Sequence, residues 1–240
     1  MENLTTIFYL LGGALCTSAS LFMFGSYFRT KRVANLSLAF VFFWIGLHAF
    51  AFALPTLLNN FDLKLLSFGY IAGIGMIFLT MLSGIEVQAY MAKRFESFWS
   101  ITITSAVITI LGAIAMIVMF RDLAVSPRFP VISEYGVIIW NANPIAQWII
   151  GLSAFTYGFI WGYVFYNAAL LLEDTHSRLK LLVMSADGFI IGTVALLVHT
   201  SSNELQTVIG HGLFVVASSL TLAIYLLPDR FFNKKNTANG

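Results

Sequence analysis

The residue types in this chain best suited to chemistry are four histidines and two carboxylates set in or beside long apolar stretches. An imidazole ligates haem iron or a transition metal through a free ring nitrogen. His48, His199 and His211 are the candidates, and they converge if their helices are neighbours in a bundle. No two of them stand at ligand spacing within one helix, because a turn separates His199 from His211. The same three residues suit a second role, hydrogen bonding to facing carbonyls and hydroxyls or lining an outer polar pocket. His176 falls in a polar connection and is expected to be solvated. Glu86 and Asp187 lie inside apolar stretches, where an ionisable group is expensive unless partnered or used. At about 1.5 Å per helical residue, each is placed roughly 10 Å from its flanking basic residues. They read either as proton-titrating or contact-switching groups between two moving helices, or as ordinary buried polar groups. In the second case Glu86 reaches the interface and Asp187 bonds to Ser185 or Thr193.

Aromatic residues extend the set. Trp44 lies one helical turn before His48, and Trp148, Tyr157 and Trp161 follow one another at spacings of nine and four. Trp44, His48, Trp148 and His211 therefore form the expected ligand-binding group, against the default that such aromatics meet lipid and the interfacial belt. The motifs of nucleophilic hydrolases, zinc peptidases and phosphate-binding loops are missing, as is any cysteine pair, so no catalytic residue is assigned. A retinal Schiff base needs a lysine in the last span, and residues 206–227 contain none.

The elements that position these residues follow from composition. Hydrophobic residues make up 59% of the 240 and charged residues 10%, against roughly 45–50% and about 25% in soluble domains. A bilayer core about 30 Å thick takes about 20 apolar residues per helix. Spans are read at 5–28, 36–58, 65–90, 99–120, 144–172, 178–200 and 206–227. The expected fold is an all-α seven-transmembrane-helix bundle. It forms one domain over 1–232, with a short polar tail over 233–240. Met1-Glu2-Asn3-Leu4 lacks the basic region of a signal peptide, so the first span is expected to be retained. Asn3-Leu4-Thr5 fits a glycosylation sequon. Cys16 is the single cysteine and allows no internal disulfide.

Orientation follows from the basic residues. Arg29, Lys31, Arg32, Lys93, Arg94, Arg178, Lys180, Arg230, Lys234 and Lys235 fall on one side, and only Lys64, Arg121 and Arg128 on the other. The positive-inside rule puts the larger set in the cytoplasm, with the N-terminus outside and the C-terminus inside. The net charge of +2 is thus a topology signal facing anionic lipid, with no nucleic-acid footprint. The longest connection, 121–143, is on the outer face. Val131-Ile132-Ser133 and Val137-Ile138-Ile139-Trp140 flank Glu134-Tyr135-Gly136 there and predict a small β-hairpin. It reads either as a lid over an outer pocket or as a loop packing its apolar residues on the helix ends. Pro144 suits the first turn of span five, and Pro55 and Pro228 fall at span ends. The paired Gly/Pro interruptions of broken transporter helices are missing. Gly69/Gly73, Gly158/Gly162 and Gly188/Gly192 have the spacing that lets helices approach closely, with packing inside the chain as the first expectation.

With these elements placed, the chain resembles the seven-helix sensor module found at the N-terminus of many bacterial histidine kinases and cyclic-nucleotide signalling enzymes. The resemblance rests on a basic turn followed by Asn35-Leu36-Ser37-Leu38-Ala39-Phe40, with Trp44 and Gly46. Lys64-Leu65-Leu66 leading to Tyr70 and Gly73 adds to it, as do Gly136, Trp140 and Pro144. It covers most of the chain, through residue types common in membranes. It implies a non-enzymatic sensor or receptor in a bacterial cytoplasmic membrane. An apolar or amphipathic ligand would enter the outer half near Trp44, His48, His211 and the 121–143 loop. A shift among spans three, five and six would then alter the cytoplasmic face at Lys93, Arg94, Arg178 and Lys180. Such modules continue into an output domain and this sequence does not, so the expected output passes to a separate cytoplasmic or membrane partner. Three other readings stay open: a haem or metal redox protein using His48 with His211 or His199, a small transporter subunit using Glu86 and Asp187, and a structural subunit.

Overall fold

The computed structural model describes residues 4–58, 62–95, 98–125, 130–134 and 136–226. The tail 233–240, Asn3 of the sequon, Tyr135, Arg128 and the side chains of Lys93 and Arg94 lie outside that description. In hydrocarbon every backbone N–H and C=O must be satisfied within the segment, and the helix does this for a single span. Each apolar stretch accordingly forms one: α1 Leu4–Thr30, α2 Val33–Leu58, α3 Leu63–Phe95, α4 Phe98–Val125, α5 Pro144–Leu170, α6 Thr175–Thr200 and α7 Glu204–Leu226. All seven are long and apolar enough to cross a membrane, which makes the chain an integral multi-pass membrane protein.

Short Asx residues set several of the starts by accepting orphan first-turn N–H groups. Asp62 accepts from Lys64 at 2.8 Å, Asn143 from Ile145 at 2.9 Å, Asp174 from Ser177 at 2.8 Å, and Asn203 from Leu205 at 2.8 Å. The hydrogen bonds from Ser177 hold the exposed Asp174 carboxyl below the usual carboxylate range. This cap corrects two expectations. α6 begins at Thr175, earlier than the basic pair at 178–180, so His176 is a buried residue of its first turn. Asp187 is thereby moved to the midpoint of the 26-residue α6, deeper than the basic residues alone suggest. Pro55, expected at the end of span two, lies within the last turn of α2.

The helices form a closed ring in sequence order, with α7 packed back on α1. α3 also packs directly on α5, which displaces α4 to the rim. Only 28% of the α4 span is buried, against 39–50% in the other six, so α4 meets mostly lipid. The tightest seam joins α5 to α6. A Cβ on Gly158 would stand 2.6 Å from Gly188 O and 2.7 Å from Gly192 Cα, and one on Gly188 would stand 2.7 Å from Gly162 N. Both glycine pairs are therefore spent on packing inside the chain, as expected.

The connection after α4 contains the hairpin. β1 Val131–Ile132 pairs antiparallel with β2 Ile138–Ile139 in the register Val131 to Ile139 and Ile132 to Ile138. Gly136 takes a φ of 71° at the turn, where a side chain would be strained. Val137, Ile138 and Trp140 are buried against the helix ends. Ile138 N donates to Thr5 Oγ1 of α1 at 2.9 Å, and Ser133 Oγ to Glu204 Oε1 of α7 at 2.5 Å. The Gln147 side chain of α5 donates to Trp140 O. The hairpin thus ties α1, α5 and α7 together and plugs that end of the ring.

Candidate functional site

Beneath the plug, a cavity of about 140 Å³ runs down the middle of the bundle. α1, α2, α3, α5, α6 and α7 all contribute to its wall, from the histidine cluster near the hairpin to Asp187 at mid-depth. His48, His199 and His211 do converge, and all three line it. Each has one ring nitrogen engaged. His48 Nδ1 is 3.0 Å from Gly73 O, His199 Nδ1 is 3.1 Å from Tyr70 Oη, and His211 Nε2 is 3.1 Å from Tyr9 Oη. The other nitrogen of the buried His211, Nδ1, has no hydrogen-bond partner among the described residues.

An aromatic cage holds this end. Phe52 is fully buried, with ring centroids 4.2 Å from His48, 4.9 Å from Tyr9, 4.6 Å from Trp140 and 5.3 Å from Tyr70. Tyr70 stacks on Trp140 at 4.7 Å. The plug therefore reaches the histidine cluster through ring packing. It buries its own apolar residues on the helix ends, which is the packing reading of this loop, and none of its described residues lines the cavity itself.

The histidines do not make a metal centre. Among the described residues, no three His, Cys, Asp or Glu side chains group closely enough to hold an ion. Nor do they fit a haem. Pockets that bury drug-sized molecules enclose about 300–1,000 Å³, well above the cavity of about 140 Å³ that these rings line.

The remaining expected site residues divide. Asp187 lines the cavity, is 6% exposed, and has no hydrogen-bond partner on either carboxylate oxygen among the described residues. Ser185 and Thr193 do not serve it, since they donate to Gly162 O at 2.7 Å and Phe189 O at 2.8 Å. Glu86 stands apart on the exposed face of α3, where it accepts from Ser37 Oγ of α2 at 2.8 Å. It does not line the cavity, and the structure does not bring the two carboxylates together.

Trp44 is half-buried against Phe43 at 5.0 Å and falls outside the lining. At about 100° per residue, the wall of α2 is the arc through Val41, Phe42, Ile45 and His48, and Trp44 lies just past its edge. Trp148 is 53% exposed, in a shallow groove between α4 and α5 with Pro144, Ile108 and Leu152. Nine residues are about two and a half helical turns. Trp148 therefore faces away from Tyr157 and Trp161, which do line the cavity.

Sequence reasoning missed Tyr9, Cys16, Thr80 and Ser218, all of which line the cavity. Their signal was a polar atom within an apolar span, given less weight than charge or an imidazole. Neither a protein-family model, nor a curated protein, nor a solved structure matches the chain.

Proposed function

We propose that this membrane protein is a sensor or receptor that binds a small apolar or amphipathic ligand in its central cavity and signals to a separate partner. One observation carries the reading: a single cavity touches six of the seven helices, and the hairpin packs over its histidine end through Trp140 on Phe52, which in turn meets His48. An occupant therefore contacts every helix of the ring except α4. A cavity of about 150 Å³ takes a benzene-sized guest, which sets the scale of the ligand. Binding alters the opposite face, where Arg178 and Lys180 lie, only by favouring one helix arrangement over another. The resemblance to seven-helix sensor modules agrees with this role and suggests a bacterial cytoplasmic membrane.

Phenol and benzene are suitable first probes. Both match the volume, and phenol adds one hydroxyl able to meet the unpartnered His211 Nδ1. In lipid nanodiscs, phenol is expected to bind saturably about tenfold more tightly than benzene, the worth of one buried hydrogen bond. His211→Phe is expected to remove that advantage. Equilibrium dialysis corrected with empty nanodiscs checks this, and no saturable uptake of either probe would end the ligand-binding reading.

A further inference from the structure

The deeper half of the cavity offers several hydrogen-bond acceptors and, among the described residues, no cationic donor. Asp187 presents both oxygens unpartnered, at 6% exposure. Three hydroxyls that line the cavity with it have their protons committed to backbone carbonyls. Ser218 donates to Phe214 O at 2.8 Å, Thr80 to Met76 O at 2.9 Å, and Tyr157 to Met81 O at 2.9 Å. Each of these oxygens has only lone pairs left to offer. With the Ser218 proton placed on Phe214 O, the Cys16 thiol, 3.3 Å from Ser218 Oγ, points its own proton at that oxygen.

No lysine or arginine lines the cavity among the described residues. A carboxylate enclosed by apolar walls is costly without a partner, and here none of the described residues supplies one. Trp161 and Tyr157 line the same cavity, and aromatic rings attract cations. Such a surface refuses anions and rewards a compact guest with several N–H donors and a positive charge. An alkylammonium has three such donors.

We propose that the cavity's ligand is a small primary amine in its ammonium form. Its N–H groups meet Asp187, Ser218 and Thr80, and its short apolar body extends toward the histidine end. This rests on the ligand-binding reading above and names the chemistry of that ligand.

The test is equilibrium dialysis of the full chain in phosphatidylcholine nanodiscs against radiolabelled n-butylammonium and n-butanol at pH 7. The two probes match in length and differ in charge and donor count. The expected result is one saturable site per chain, with n-butylammonium held at least about tenfold more tightly than n-butanol. Asp187→Asn is expected to bring the two to equal affinity. Equal binding by the wild-type chain overturns the proposal, and so does an amine preference that survives Asp187→Asn. If that variant does not fold, the wild-type comparison decides alone. Binding of phenol without amine preference sinks this proposal and leaves the ligand-binding reading standing, whereas failure of all probes sinks both.

Discussion

Each histidine of the outer cluster has an identifiable partner, and two of those partners are tyrosines on other helices. Tyr9 of α1 meets His211 of α7, and Tyr70 of α3 meets His199 of α6. These contacts join helices far apart in the chain, so they fix how the ring closes. Hydrogen bonds between membrane helices contribute about 0.6 kcal/mol on average and rarely more than about 1.7. Tyr70→Phe deletes the hydroxyl and keeps the ring stacked on Trp140. It is expected to lower stability by about 0.5–1.5 kcal/mol, read from denaturant unfolding in mild detergent. A loss several times larger would mean the hydroxyl supports more than His199. The histidines themselves were legible in the sequence, because an imidazole deep in an apolar span is conspicuous. Their tyrosine partners were not, since a tyrosine in a membrane helix reads first as an interfacial or packing residue. Trp148 shows the complementary error: an aromatic at an interval of nine looks like part of a stripe until the helix period puts it on the opposite face.

At the scale of elements, the α5–α6 seam is the contact least able to yield, because backbone faces backbone. A side chain on Gly158 would run into Gly188 O and Gly192 Cα, which no rotamer change relieves. Gly158→Leu is expected to cost about 1–3 kcal/mol by overpacking. Gly25→Ala in α1, where no described residue lies within 4 Å of the added carbon, should leave stability within about 1 kcal/mol of the wild type. Unfolding midpoints of the two variants, measured side by side, separate a seam effect from any general intolerance of lost glycine. Seven helices, the hairpin and these glycine pairs were all readable beforehand, since each leaves a local mark of length, alternation or spacing. The start of α6 was misplaced because Arg178 and Lys180 drew attention away from Asp174, three residues before Ser177. That short polar cap was the stronger boundary signal, and it changed the depth assigned to Asp187. Which face of a helix borders the cavity was not local at all. It depends on α3 packing against α5 and excluding α4 from the wall.

For the molecule as a whole, the hairpin packs at the histidine end of the cavity, and the single cysteine offers a test of whether it controls access. Cys16 is 4% exposed and lines the cavity below the histidines, so a water-soluble thiol reagent reaches it only when the bundle opens. Trp140 fastens the hairpin to the helix ends by packing on Phe52 and Tyr70. Truncating a buried tryptophan to alanine costs about 3–5 kcal/mol. Part of that loss falls on the local opening equilibrium, and each 1.4 kcal/mol multiplies the open population about tenfold. Trp140→Ala is therefore expected to speed Cys16 modification by about tenfold or more in sealed vesicles exposed to reagent on the hairpin side. Tyr70→Phe, which keeps the ring contact, should change the rate little. An occupant in the cavity should slow modification in the wild-type chain and in Trp140→Ala alike, because it blocks the thiol directly. Unchanged Cys16 reactivity in Trp140→Ala would mean that access runs between helices from the lipid, and that the hairpin is only a covering for the helix ends.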